Sequence, residues 1–234
     1  MVPNPILVRT LQRTLAAEVS RAIGLTREGW GPRIIAPLIA PATRRFARLA
    51  AWFDEDIRTV GMCQAARHLL PPFVAGCRQS GADTVPPEGP LLIVSNHPGA
   101  SDALAIAASV GRADLQIALS DVPFVRALPH VSQQAILVPL EVSGRARAVR
   151  DIIARLLSGQ SVLIFPTGNV APDPERIPDP AIVFANWSRS IELILRRVPE
   201  AQLLVAIVSG VLHPRYLHHP LLRLRRLAWR QQIL

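Results

Sequence analysis

Two short segments hold residue types that can move protons. The first is Asn96-His97-Pro98-Gly99-Ala100-Ser101-Asp102, which follows the apolar run at 91–94. A histidine and an aspartate five apart across a Pro-Gly turn can fold back on each other. The carboxylate then accepts a hydrogen bond from one ring nitrogen, which sets the tautomer and leaves the other nitrogen as a base. The same spacing also suits a plain turn in which Ser101 or Asp102 caps a helix. The second segment, 161–168, is another apolar run, and it ends in Phe165-Pro166-Thr167-Gly168. It reads as an ordinary strand exit or as a second wall of the same site. Ligand sites of α/β sheets gather at the carboxyl ends of strands, so two such exits with compact turns can face one cleft.

Other chemistry finds less support. Ser95 and Ser101 do not sit in G-x-S-x-G, which argues against a covalent serine. His213, His218 and His219 cluster without a nearby carboxylate or cysteine, and no metal site is expected. Cys63 and Cys77 make neither a disulfide framework nor a ligand set, which points to a reduced, cytosol-facing location. Trp30, Trp52, Trp187 and Trp229 read first as packing residues. Trp30 and Trp229 are candidates for interfacial anchors.

The elements that must position these residues follow from periodicity. Up to about residue 80 the pattern is helical, with units near 6–23, 34–53 and 54–79, and with Pro37 and Pro41 disturbing the start of the second. The segment at 80–89 is dense in Gly, Pro and Asp and reads as a linker. Beyond it, aliphatic runs at 91–96, 115–120, 135–141, 161–168 and 203–210 alternate with helical stretches at 102–110, 145–158 and 181–198. Strands this apolar are buried on both faces, and the alternation predicts an α/β domain. The expected division is a helical region at 1–84 and a catalytic domain at 85–234. The leucine- and arginine-rich end of the chain reads as a basic amphipathic helix.

Composition narrows the partners. The chain has 234 residues, a net charge of +9 and no lysine, so every basic side chain is an arginine. A P-loop lysine, a Schiff base and a lysine base are therefore impossible. Half the residues are hydrophobic and the mean hydropathy is +0.27, which excludes a disordered tail. Aromatics are only 5%. A nucleic-acid surface would need them beside the arginines, and here they sit mostly in apolar runs. An anionic lipid surface remains the expected partner. No apolar run approaches the roughly 20 residues of a membrane-spanning helix. Arg9 and Arg13 interrupt the first apolar stretch, which argues against a signal peptide. Membrane contact is therefore expected to be peripheral, at the cytoplasmic face.

The two segments together resemble a known family. Asn96–Asp102 is similar to the N-H-x4-D block of the phospholipid/glycerol acyltransferase superfamily, and Phe165–Gly168 to its F-P-E-G block. The likeness covers roughly 85–215. It implies a glycerolipid acyltransferase-like α/β fold, a mixed sheet flanked by helices, preceded by the N-terminal helical region. It also implies that His97 is the general base and Asp102 its orienter. The base acts on a hydroxyl of glycerol phosphate or a lysolipid, which attacks an acyl thioester of acyl-CoA or acyl-carrier protein. No cofactor is implied beyond that co-substrate. Asn96, Pro166, Thr167 and Gly168 are the implied substrate-binding residues, with Gly168 admitting the backbone close to substrate. Arg126, Arg145 and Arg147 are the candidates for a phosphate contact.

The chain departs from the family pattern in places. Thr167 stands where the family has glutamate, Asn169-Val170 follows in place of Thr-Arg, and the late strand lacks the usual proline. A catalytically weakened, lipid-binding relative is the alternative expectation.

Overall fold

A computed structural model describes residues 3–22, 31–99, 101–176, 184 and 186–211. The C-terminal amphipathic helix, Trp30, Trp229, His213, His218, His219 and the start of the helix expected at 181–198 lie outside the described residues.

The N-terminal region is helical, as its periodicity predicts. Helix α1 (Pro5–Ala22) packs beside α2 (Gly31–Val60), and α3 (Met62–Leu69) follows. The expected break near residue 53 is absent: α2 runs through Phe53 and Asp54 and stops at Gly61, whose φ of 80° ends the helix. Pro37 and Pro41 lie within α2. Val8 and Leu11 from α1 pack with Ala47, Ala50, Phe53 and Ile57 from α2 and with Ala65, Ala66 and Leu69 from α3. Polar bonds join this region to the rest. Asp54, buried on α2, accepts from the backbone N–H of His130 and Val131, each at 2.9 Å, and pairs with the His130 ring. Glu18 on α1 accepts from the N–H of Phe124 at 3.0 Å.

The rest alternates strand and helix. The strands are β1 (Leu91–Ser95), β2 (Gln116–Ser120), β3 (Ala135–Val138), β4 (Ser161–Ile164) and β5 (Gln202–Ala206). The helices among them are α4 (Asp102–Val110), the short α5 (Pro123–Arg126) and α6 (Pro129–Gln133), α7 (Arg145–Leu157) and α8 (Ser190–Arg197). The sheet order is β3-β2-β4-β1-β5, and each described pairing is parallel, so no antiparallel strand of a mixed sheet occurs among the described residues.

Both faces of the central strands β1 and β4 are covered, which explains strands without polar alternation, whereas on the edge strand β5 Leu203 and Val205 stay about half exposed, against the expectation of burial on both faces. Leu91, Ile93 and Leu163 face the core formed with α4 and the N-terminal helices. Leu92, Val94, Val162 and Ile164 face Ile152 and Leu156 of α7 and Ile194 of α8. At the amino end of the sheet, Arg112 pairs with Asp114 and donates to the carbonyls of Pro86, Gly89 and Gly159. That one side chain ties the linker to the start of β4. Strands β1 and β4 are neighbours, with Val94 opposite Ile164. Their carboxyl ends therefore emerge side by side, which places the two sequence segments together.

Candidate active site

His97 leaves β1 two residues beyond its end. Its Nδ1 lies 2.8 Å from Oδ2 of Asp102, the first residue of α4. Asp102 has no exposed surface, whereas the His97 side chain keeps 30%. The carboxylate also accepts from the N–H of Gly99 at 3.1 Å and of Ala103 at 2.7 Å. Ser101, at the N-cap, makes no capping bond through its side chain. The two readings of this segment are thus both met by one residue: Asp102 ties down the turn and the helix start, and it also holds the histidine. An ionised carboxylate can only accept, so this pairing suits the tautomer with the proton on Nδ1 and the lone pair on Nε2.

The main chain of His97 is held on both sides. Asn96 is buried, and its amide mimics a peptide: Nδ2 donates to the carbonyl of Val208 and Oδ1 accepts from the Val208 N–H, both at 2.8 Å. Asn96 was expected to touch substrate; instead both ends of its amide are spent extending the β1–β5 ladder past Ala206. The carbonyl of His97 accepts from the N–H of Ala171 at 2.8 Å. The loop around Ala171 is itself anchored by buried Asp173, which accepts from the N–H of Gly210 at 2.9 Å and of Glu175 at 3.1 Å. Gly99 is required by close approach, because a Cβ there would collide with Val211 beyond β5.

The Phe165–Gly168 exit arrives from β4. The Phe165 ring stacks on the His97 imidazole, with centroids 4.4 Å apart and planes at 28°. Gly168 N–H donates to the carbonyl of Phe165 at 3.0 Å and closes the turn, with φ at 63°. A Cβ on Gly168 would meet no protein atom within 4 Å, so within the protein it is the positive φ that favours glycine there. Pro166 is buried, and its carbonyl accepts from the N–H of Ser188 at 3.2 Å. The Thr167 hydroxyl donates to the carbonyl of Asn169 at 2.7 Å, stiffening the same turn.

The three candidate phosphate ligands are not gathered here. Arg126, on exposed α5, is paired with Asp121, and that hydrogen bond holds the Asp121 carboxyl below the usual carboxylate range. Arg145 and Arg147 are exposed on α7, which covers the opposite face of the sheet from α4. A cleft of about 840 Å³ lies against Asp102, but His97 and the 165–168 turn are not part of its lining. Ser101, Asp102, Ala105 and Ile106 line it on one side, Leu204, Ala206 and Val208 on another, and residues 73–82 on a third. Its arginines are Arg78 and Arg176. Spacing gave no sign of Arg78; Arg176 follows the Thr167 turn closely, which was the available clue. Ser95 is buried and donates to the carbonyl of Asn96 at 2.9 Å, so it is not an exposed nucleophile. Among the described residues no group of three His, Cys, Asp or Glu could hold a metal ion.

Residues 77–186 match the family model described as Acyltransferase. Over that stretch, just under half of the chain, the sequence is similar to the acyltransferase family. The match spans both segments, from the linker through β1, the His97 turn, β4 and the Thr167 turn. The match supports a general acyl-transfer function, which implies an acyl donor and an acceptor as substrates. No curated protein and no solved structure matches the chain.

Proposed function

We propose that this protein transfers a fatty acyl group from an acyl thioester to a hydroxyl of a lysophospholipid or glycerol phosphate. The observation that carries the reading is the His97–Asp102 pair, with a buried, fully engaged carboxylate in the wall of the cleft. His97 Nε2 takes the proton of the acceptor hydroxyl as its oxygen bonds the thioester carbonyl carbon. The C–S bond then breaks, and the proton passes from His97 to the departing thiolate. Asp102 keeps the imidazole in the required tautomer and stabilises its cationic form, a triad logic in which the substrate supplies the nucleophile. The donor is acyl-CoA or acyl-carrier protein.

The acceptor reading rests on Thr167. A neutral hydroxyl in place of the family's glutamate, already bonded to Asn169, offers no charge to a glycerol phosphate head. A shorter side chain leaves room for a bulkier head group. A lysophospholipid is accordingly favoured over glycerol 3-phosphate, with Arg78 and Arg176 in the cleft as the phosphate contacts. The setting is an anionic membrane surface at the cytoplasmic face. Exposed Ile6, Leu38 and Phe46 beside Arg44, Arg45 and Arg48 support it. No helix among the described residues is long and apolar enough to cross a membrane.

The test is turnover on a panel of lysophospholipids and glycerol 3-phosphate with acyl-CoA and acyl-carrier protein as donors. Acylation of a lysophospholipid that disappears in His97→Ala is the expected result. Lipid binding without turnover on any acceptor would favour the weakened, lipid-binding alternative suggested by Thr167.

A further inference from the structure

An imidazole tethered only at Nδ1 is not fully placed. It can still tilt about the Nδ1···Oδ2 axis, and that motion sweeps Nε2 away from the acceptor. The main-chain bonds of Asn96 and His97 fix where the side chain starts. They do not fix the plane of its ring. The Asp102 carboxylate meets the ring at its edge, and among the described residues the ring of Phe165 is the one stacked on its face, at 4.4 Å and 28°.

Phe165 is well placed to act as a fixed surface. It continues the β4 alternation from Leu163, so it packs on the same side of the sheet as α4 and Asp102. Its carbonyl accepts the turn-closing bond of Gly168, and the buried Pro166 beside it restricts its backbone. Its π face also suits what the ring becomes. Once Nε2 has taken a proton, the imidazolium lies against the negative face of an aromatic quadrupole.

We propose that Phe165 is a positioning residue for His97, holding the imidazole plane so that Nε2 faces the acceptor. The proposal rests on His97 being the general base. It assigns Phe165 no contact with either substrate. Replacing it should therefore change the rate of the chemical step while leaving substrate affinity alone.

Three variants of the full chain test this: Phe165→Leu, Phe165→Tyr and His97→Ala. Phe165→Leu keeps an apolar side chain but removes the flat face. Its kcat is expected to fall on the order of 10²-fold, the loss typical of a slightly misplaced catalytic group, with KM for donor and acceptor within about twofold. Phe165→Tyr, which keeps the ring, should hold kcat within about threefold. Imidazole ¹⁵N shifts provide a readout that needs no substrate. In the unmodified protein His97, identified by the signal lost in His97→Ala, should show one tautomer with the proton on Nδ1. In Phe165→Leu the tautomer, set by Asp102, should stay the same while the His97 ring signals broaden as the ring plane moves, and in Phe165→Tyr they should stay sharp.

Unchanged kcat and unbroadened His97 ring signals in Phe165→Leu would overturn the proposal. So would an equal loss in the leucine and tyrosine variants, or a loss confined to KM. If the unmodified protein acylates no acceptor, the reading of function fails. The His97 ring line widths of the three proteins then still decide whether Phe165 holds the ring.

Discussion

Asp102 accepts from three donors, the His97 ring and the N–H groups of Gly99 and Ala103, and its variants should separate those duties. The N–H groups of Gly99 and Ala103 sit on different oxygens of the carboxylate, so Asp102→Asn keeps an acceptor for one of them and loses the charge that stabilises imidazolium. Asp102→Ala loses both acceptors and the charge. Activity should fall severely in each, whereas the stability loss should be larger in the alanine variant, about 1–3 kcal/mol for each buried donor left unpaired. His97→Ala should lower turnover by roughly 10²–10⁴ with little change in melting temperature, since the ring is partly exposed and carries little core. Thermal unfolding beside turnover checks all three. A stability loss in Asp102→Asn that accounts for its lost activity would reduce Asp102 to a helix cap. At position 167, Thr167→Glu should raise activity on glycerol 3-phosphate relative to a lysophospholipid. An unchanged ratio would place that side chain away from the head group.

Between elements, single polar side chains make the joints. Asn96 fastens the exit of β1 to Val208 across 112 residues of sequence. Asn96→Leu should cost about 2–3 kcal/mol, because both backbone groups of Val208 lose their partner at a part-buried site. Denaturant titration gives that number directly. At the opposite end of the sheet, Asp114 is bonded to Arg112, whose side chain is only 3% exposed, and to the hydroxyl of Ser161. The bond to Arg112 holds the Asp114 carboxyl below its ordinary range, against a smaller opposing effect of burial. The folded state therefore favours the ionised form. The stabilisation is fully present above the unfolded carboxylate range, near pH 3.9, and is lost as pH falls through the lower folded value. Asp114→Asn should be less stable at neutral pH by about 2–3 kcal/mol. It should also show a shallower loss between pH 5 and pH 2 than the unmodified protein. Parallel acid slopes for the two proteins would show that another carboxylate governs the transition.

For the whole molecule, the membrane contact proposed above singles out the α1–α2 pair. The α1–α2 pair exposes Ile6, Leu38 and Phe46 with Arg44, Arg45 and Arg48. Phe46 also contacts Phe73 and Phe124, and Phe73 lines the cleft. This arrangement links the helical pair to the site. Each arginine near an anionic surface is worth about 1 kcal/mol, so replacing Arg44, Arg45 and Arg48 with glutamine should lower vesicle binding about 100-fold at low salt. Co-sedimentation with anionic and with neutral vesicles measures it. Binding that is insensitive to salt and to the three substitutions would move the contact surface elsewhere in the chain.

Much of this organisation was legible in the sequence because it is local. The strands begin within a residue of the apolar runs, and α4 and α7 fall on the helical stretches, because periodicity and burial on both faces are written into consecutive residues. The end of α2 was misplaced, since helix-period residues continue through Phe53 and Asp54 and the real stop is Gly61. The four- and five-residue α5 and α6 are too short to show a period. The His97–Asp102 pair was legible for the same reason of locality: five residues and a Pro-Gly turn bring the two side chains together by themselves. The rest was decided by tertiary structure. The Asn96 bridge to Val208, the Phe165 ring on His97 and the anchoring of Asp173 to Gly210 join residues far apart in the chain. The same holds for the arginines. A basic residue is equally available for phosphate anywhere in a sequence, and only the packing of α4, β5 and the 73–82 segment puts Arg78 and Arg176 in the cleft while Arg126 is spent on Asp121 and α7 carries Arg145 and Arg147 to the other face.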